Sequence, residues 1–429
     1  MKIRKYGLGI AIIIIVAILI DYHFFFLFPY SDFMSRLLYW GRYAVLSVLA
    51  FGLYFYLLTF RRRSLSDYNG WMMRYCAAVI GVFVLFTIYT MVIYPEQKLF
   101  DTLIYGGHFG CIVFAVPILF LFERDGGAQR FLRVLNVIAF LWYGYTILQS
   151  LVYSQTGTLL FSFQEIYAED VNIRNEALRV GQDAFGVIML LYNVSHLLYG
   201  TGKKGFSLAM IILGACQIIL VQQTRMMILA CCVCLAILVL FYGENRNRRI
   251  IRTGLVLAAG AFLAFSPMVS ELLQSLSIQS NEYAGSTLAR GYAVTYFWNM
   301  FCKNPMMGFA WPYDASYANV AHGALGTAYT NDVGFIGMLA ELGLFSIVIF
   351  IIPLIRMIYI LRKTRTMPRT DMRMFLVALL VFVIMSSFTL IITDDTRCLG
   401  YPVVLALYEY YYAKNKHMVT CEEKREVTT

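Results

Sequence analysis

The chain has 429 residues, 60% of them hydrophobic and 14% charged, with a mean hydropathy of +0.67 and a formal net charge of +10. A soluble globular domain holds roughly 45–50% apolar and about 25% charged residues. The composition therefore excludes a soluble enzyme of this size, a disordered chain and a disulfide-stapled secreted module. The apolar stretches are continuous, not alternating, which excludes a β-barrel.

The expected fold is all-α: a polytopic integral membrane protein. A hydrocarbon core of about 30 Å asks for roughly 20 apolar residues per helix, and about 12 such transmembrane helices are expected. They fall near 7–28, 37–60, 72–94, 99–122, 131–153, 184–200, 205–222, 226–242, 253–268, 333–361, 374–393 and 398–412. The first follows Lys2, Arg4 and Lys5 and runs into Phe24, Phe25, Phe26 and Phe28 without a small-residue cleavage site. It reads as a retained anchor. Residues 1–204 form an N-terminal set of spans with an outer loop at 154–183. Residues 205–412 form a membrane core that includes a large, partly helical extracytoplasmic loop at 269–332. Residues 413–429 read as a polar cytoplasmic tail without regular structure.

Orientation follows from Lys and Arg. With both termini in the cytoplasm, inside segments hold 26 of the 35 basic residues. The net positive charge is then a topology signal beside anionic lipid, and no nucleic-acid partner is needed to explain it. The two long loops both face outward, so the work of the protein is expected there. No Walker-type glycine loop is present. The nine cysteines show no metal or disulfide spacing, and no metal or cofactor is expected.

Charges inside a bilayer are costly, so their depth is informative. Asp21, Arg42, Asp101, Arg225, Glu341 and Asp394 all fall in the outer half of their spans or at the outer interface. That one-sided distribution favours a polar cavity open to the outer face over a path through the membrane. His108 sits in Tyr105-Gly106-Gly107-His108, where the paired glycines suit close helix packing.

In the large loop, Ser286 reads as an N-cap and Thr287–Cys302 as a helix stopped before Pro305. Arg290 lies on its first turns, and Ala289, Val294, Phe297, Trp298 and Phe301 give it an apolar face. The turn Lys303-Asn304-Pro305-Met306-Met307-Gly308 follows, then Phe309-Ala310-Trp311-Pro312-Tyr313-Asp314. Trp298 and Trp311 suit a cleft for sugar or lipid. Asp394, Asp395 and Arg397, in the last outer turn, suit the rim of the same cavity.

Gln223-Thr224-Arg225 at the start of a span resembles the opening of the core domain of O-antigen ligases and polymerases. Arg290, Trp298 and Asn304-Pro305-Met306-Met307-Gly308-Phe309 resemble that family's Arg-helix-Pro-x-x-Gly pattern. Thr330-Asn331-Asp332-Val333-Gly334-Phe335-Ile336-Gly337 with Glu341-Leu342-Gly343 resembles its re-entry into the next span. The resemblance covers about residues 205–350.

It implies a metal-independent glycosyltransferase of the cell-surface polysaccharide pathway. The donor is a glycan linked through pyrophosphate to a polyprenol. The acceptor is a hydroxyl on the outer face of the inner or plasma membrane, and the partners are the lipid-linked glycan, the bilayer and other polysaccharide-export proteins. A leaving pyrophosphate builds negative charge that guanidinium groups stabilise. The candidate catalytic residues are Arg225 and Arg290 for that charge, and His322 and Asp332 as base or orienting group for the hydroxyl. Arg42, Trp298, Trp311, Asp314 and Arg397 are the candidate substrate-binding residues. Family ligases often carry a His-Asn-like pair before the re-entering span, whereas here Asn331-Asp332 stands there and the histidine is His322. That departure inclines the reading to polymerase over ligase. Plainer roles compete: Arg225 as an interface anchor, Arg290 in a salt bridge to Glu282 or Asp314, His322 in a structural hydrogen bond, and Asp332 as the cap of the tenth helix. A flippase or transporter of lipid-linked oligosaccharides and a non-catalytic assembly protein are the rival functions.

Overall fold

The computed structural model describes residues 2–22, 24–27, 31–124, 126–160, 173–174, 177–178, 184–201, 204–242, 284–365 and 370–428. The span expected at 253–268 and Arg179 and Glu282 lie outside them. The described chain is helical, apart from a two-residue antiparallel ladder that pairs Ile173–Arg174 with Ala177–Leu178. Within the 154–183 loop, Leu178 is fully buried in the main core.

Helix α1 spans Lys2–Asp21. The next helical run, Arg42–Ile93, is 52 residues long. It doubles back. In a straight helix, Tyr54 and Met73 would stand roughly 28 Å apart. Instead, the Tyr54 hydroxyl donates to the Met73 carbonyl at 3.1 Å, and the Phe51 and Phe83 rings meet at 5.1 Å. The run therefore comprises two antiparallel apolar helices, α2 (Arg42–Phe60) and α3 (Gly70–Ile93). Then come α4 (Leu99–Phe122), α5 (Gly127–Thr156), α6 (Ala184–Tyr199), α7 (Gly205–Gln222) and α8 (Arg225–Leu240). After residues outside the description follow α9 (Ala284–Lys303) and the short α10 (Asp314–Ala321). Next are α11 (Phe335–Phe345), α12 (Ile347–Lys363), α13 (Asp371–Ser386) and α14 (Gly400–Thr428). Among the described residues, five helices are long and apolar enough to cross a membrane, or six if α11 and α12 count as one. The N-terminal Gly7–Asp21, α6 and α8 are shorter apolar helices.

Two expectations change. The segment 333–361 is not a straight span: α11 and α12 meet at 109°. The tail is not irregular either, since α14 carries helical backbone through Thr428.

Small residues and buried polar pairs set the packing. A Cβ on Gly107 would fall 2.6 Å from the Tyr43 backbone, and one on Gly110 would fall 2.6 Å from the Ser47 Cβ. The glycines of α4 thus let it lie directly against α2, as the sequence indicated. Asn136 of α5 and Asn193 of α6 exchange amide hydrogen bonds at 3.2 and 2.7 Å, both buried. Each supplies the donor and acceptor the other lacks in an apolar surrounding. Arg356 of α12 forks onto Glu409 of α14 at 2.7 and 3.0 Å. Its guanidinium also lies 5.2 Å from the Trp71 ring, 5.3 Å from Tyr359 and 4.8 Å from Tyr412.

The break between α11 and α12 is stitched to the loop before α10. A bend frees backbone groups that must find partners in an apolar setting. The Phe309 N–H donates to the Ala340 carbonyl at 2.8 Å, Ala310 to Glu341 at 3.0 Å, and Leu344 to Pro305 at 2.8 Å. Gly308 (φ +59°) and Gly343 (φ +54°) hold the left-handed backbone this approach needs. A Cβ on Gly308 would meet the Ala340 oxygen at 2.2 Å, and one on Gly343 would meet the Pro305 oxygen at 2.5 Å.

Candidate active site

The stitched loop plunges into the helices and carries Trp311 with it. Trp311 is 3% exposed, packed against Phe83, Phe86 and Phe109 at centroid distances of 5.5, 5.8 and 6.0 Å. Gly106 makes the room: a Cβ there would lie 2.1 Å from the indole. Gln97 holds the loop on its other side, donating to the Trp311 carbonyl at 2.9 Å and accepting from the Tyr313 N–H at 2.8 Å. Tyr94 donates to the Phe309 carbonyl at 2.8 Å.

Above this floor opens a cavity of about 320 Å³. Its walls come from distant parts of the chain. Arg42 and Tyr43 start α2, and Tyr105 and His108 lie on α4. Phe309 to Pro312, His322, Tyr329, Thr330, Asn331 and Glu341 come from the loop and α11, and Asp395 from the turn before α14. The size suits one small ligand group. A smaller cavity of about 20 Å³ lies beside it, and His108, Thr330, Asn331 and Glu341 line both.

The charges are arranged around Asp395. Asn331 donates to its carboxylate at 2.9 Å. Burial pushes Asp395 up, but its hydrogen bond with Asp394 and its interactions with His108 and the Arg42 and Arg397 guanidinium groups outweigh that and hold it below the usual carboxylate range. Burial and the Asp395 charge push Asp394 the other way, against the pull of Arg397. Arg397 is 2% exposed and donates to Asp394. Arg42 is 8% exposed, donates to the Tyr43 hydroxyl, and lies 4.4 Å from that ring's centroid. The His322 Nδ1 sits 3.0 Å from the Ala328 carbonyl, and the ring packs on Tyr329 at 4.6 Å. A carbonyl only accepts, so Nδ1 carries the hydrogen and Nε2 keeps its lone pair in the neutral ring.

The sequence-derived candidates divide. Arg42, Trp311 and His322 line the cavity, and Arg397 sits behind it, holding Asp394. Arg225, Arg290, Trp298 and Asp332 are absent from the described lining. Arg225 opens α8 after Gln223, whose φ of +48° ends the preceding helix. Arg290 is half-buried on α9, and its Nε finds no hydrogen-bond partner among the described residues. Trp298 is 48% exposed, beside the buried Phe297. Asp332 ends a short 3-10 turn, and the residue that caps α11 is Gly334, so the capping role expected for Asp332 does not hold. Asp314 opens α10, and its side chain lies outside the description. Tyr105, His108, Asn331 and Glu341 were not assigned to a site. The position of His108 and Glu341 as ionisable groups within apolar segments was the available signal.

The described residues, helical apart from one short ladder and carrying several apolar helices around a polar cavity, define a multi-pass membrane protein. Residues 208–351, a third of the chain, match the family described as O-antigen ligase. The matched segment contains the Gln-Thr-Arg turn, α9, the stitched loop and the bend. No curated protein matches the chain.

Proposed function

We propose that the protein is a metal-independent membrane glycosyltransferase. It transfers a glycan from a polyprenyl-pyrophosphate donor to an acceptor hydroxyl on the outer face of the inner or plasma membrane, and lengthening of a polysaccharide is preferred over ligation. In this reading the chain crosses the membrane about twelve times, with both termini in the cytoplasm. The observation that carries the reading is the cavity, where one guanidinium, two imidazoles and two carboxylates converge beside a buried indole, within and around the family segment.

In this reading the anomeric carbon–oxygen bond breaks and charge builds on the departing pyrophosphate. Arg42, a fixed donor fork in a partly enclosed site, binds that charge as it develops. Arg225 and Arg290 bind the pyrophosphate from outside the described lining. Arg225 stands at the positive end of its helix dipole, where anions are favoured and cations are not, which fits an anion-binding task better than a stabilising one. His322 accepts a hydroxyl of the acceptor glycan at Nε2 and orients it. The Trp311 indole and Asp314 contact sugar, and Arg397 steadies the carboxylate turn. The polyprenol lies between helices in the bilayer.

The test is a glycan-length assay on membranes supplied with polyprenyl-pyrophosphate repeat units. A ladder of longer products from the wild type, lost in Arg42→Ala and Arg290→Ala at matched membrane levels, is expected. A single transfer to a separate acceptor would assign a ligase. Movement of the repeat unit across the bilayer with no new glycosidic bond would assign a flippase instead.

A further inference from the structure

Glu341 has no part in the chemistry described above, and its setting is unusual for a structural residue. It sits in the last turn before the 109° break. Its backbone carbonyl is held by Ala310 at 3.0 Å, and the preceding carbonyl by Phe309 at 2.8 Å. The side chain is thus mounted on a backbone fixed from both sides, a placement that suits precise chemistry.

The other carboxylates near the cavity are held by Asn331 or an arginine, whereas the Glu341 side chain hydrogen-bonds to the neutral Thr330. Asp395 accepts from Asn331 and faces Arg42, and Asp394 is bound by Arg397. Glu341 lines both the main cavity and the 20 Å³ cavity beside it. Around the smaller cavity, three buried atoms have no hydrogen-bond partner among the described residues: His108 Nδ1, Thr393 Oγ1 and Asp394 Oδ1. A space of that size with three polar partners suits one water molecule.

We propose that Glu341 is the general base of the transfer, a further catalytic residue whose assignment rests on the glycosyltransferase reading above. The acceptor O–H bond breaks and its proton passes to the Glu341 carboxylate. The hydroxyl oxygen forms the new bond to the anomeric carbon. The anomeric carbon–oxygen bond to pyrophosphate breaks, and its electron pair leaves on the pyrophosphate oxygen held by Arg42. The proton then passes from Glu341 to water in the smaller cavity, between His108 and Asp394, and on to solvent. His322 stays an orienting group. The titratable groups that face Glu341 across the two cavities are Arg42, Tyr43, Tyr105, His108, His322, Tyr329, Asp394 and Asp395, and each contributes to the pH at which it works.

The experiment measures initial transfer rates of the full-length protein in membranes, with repeat units extracted from its own host as donor and acceptor. Loss of a positioned base costs about 10²–10⁴-fold. Glu341→Gln is expected to lower kcat at least 100-fold while the donor KM stays within threefold. Glu341→Asp is expected to keep measurable turnover with the acid limb of its pH–rate profile displaced. His322→Ala is expected to raise the acceptor KM more than it lowers kcat. If Glu341→Gln turns over within fivefold of wild type, the assignment is overturned. If Glu341→Gln is lost from the membrane, Glu341→Asp decides alone, and an acid limb unchanged from wild type overturns the assignment. A wild type that forms no glycosidic bond overturns the glycosyltransferase reading itself, an outcome distinct from an active wild type with an active Gln variant.

Discussion

The Ala310 N–H donates to the carbonyl of Glu341 at 3.0 Å, and Ala310 adopts φ +61° to do so. An alanine in the left-handed region costs roughly 1–2 kcal/mol. The strain is held where the loop meets the broken helix, beside the cavity both residues line. Ala310→Gly is therefore expected to raise stability by up to about 1 kcal/mol. Thermal unfolding of purified protein in detergent checks it, and a lower Tm would show that the methyl group packs more favourably than the backbone is strained.

Gly308 and Gly343 should not tolerate a side chain. Each combines positive φ with a carbonyl oxygen inside contact distance of a Cβ. Left-handed strain and overpacking together predict a loss of about 3 kcal/mol for either alanine variant. Gly81→Ala and Gly144→Ala, in helices with nothing within 4 Å of the new Cβ, are the matched controls and should be neutral or slightly stabilising. Equal Tm values across the four variants would contradict the stitched geometry.

The Arg356–Glu409 fork should show strong coupling. Glu409 is 1% exposed, so Arg356→Met alone takes the guanidinium fork from a buried carboxylate and should cost about 3–5 kcal/mol. Arg356→Met with Glu409→Leu should recover most of that loss. A double-mutant cycle on unfolding free energies reads the difference. Additive losses would mean that the aromatic rings around Arg356, not Glu409, carry its stabilisation.

Acid should weaken the turn before α14. Asp395 is held below its unfolded value, so its contribution to stability is present above the ordinary aspartate range of about 4 and is lost as the pH falls through the folded value. Asp394 is shifted upward and works in the opposite sense, so the signal is read as wild type minus Asp395→Asn. That difference in Tm should be constant between pH 7 and about 5 and shrink below about 4. A difference that grows with acid would reverse the sign and refute the ionised state of Asp395.

Arg42 and Trp298 separate cavity from surface. Removing one positioned donor to a developing charge costs roughly 10²–10³-fold in rate. Arg42→Ala is expected to fall in that range, and Arg42→Lys, which keeps charge but loses the fork, should recover only part of it. Trp298→Ala, on an exposed face, should stay near wild type in the same ladder assay.

Much of this was legible in the sequence, for physical reasons. Long apolar runs announce helices whatever their neighbours, so α2 to α8 fall close to where hydropathy puts them. The Pro305-x-x-Gly308 and Glu341-Leu342-Gly343 signatures were visible as motifs, but their task as the two faces of one backbone seam was not. A seam is a relation between segments, and one chain read in order shows only one side of it. The bend escaped for the same reason: 333–361 is apolar apart from Glu341, Ser346 and Arg356, and only the loop carbonyls and Gly343 reveal the turn. Arg42 stands out as a charge on apolar ground, and His322 as the one histidine of the large outer loop. Asp332 was favoured by its position before a helix, yet Gly334 takes the cap because only a glycine fits against the Ser387 carbonyl, 2.2 Å from its would-be Cβ. Glu341 and His108 were seen as ionisable and left unassigned, since nothing local says that α4 and α11 share a wall.

That shared wall bears on how such a protein can be rebuilt. The segment that matches the family, residues 208–351, holds the loop, His322 and Glu341 but not Arg42, Tyr105, His108 or Asp395. Grafted onto another set of membrane helices, it would bring its seam intact and arrive with more than a third of its chamber wall missing. Any exchange of parts between two such proteins has to move the start of α2, the glycine face of α4 and the turn before α14 together with the segment they enclose.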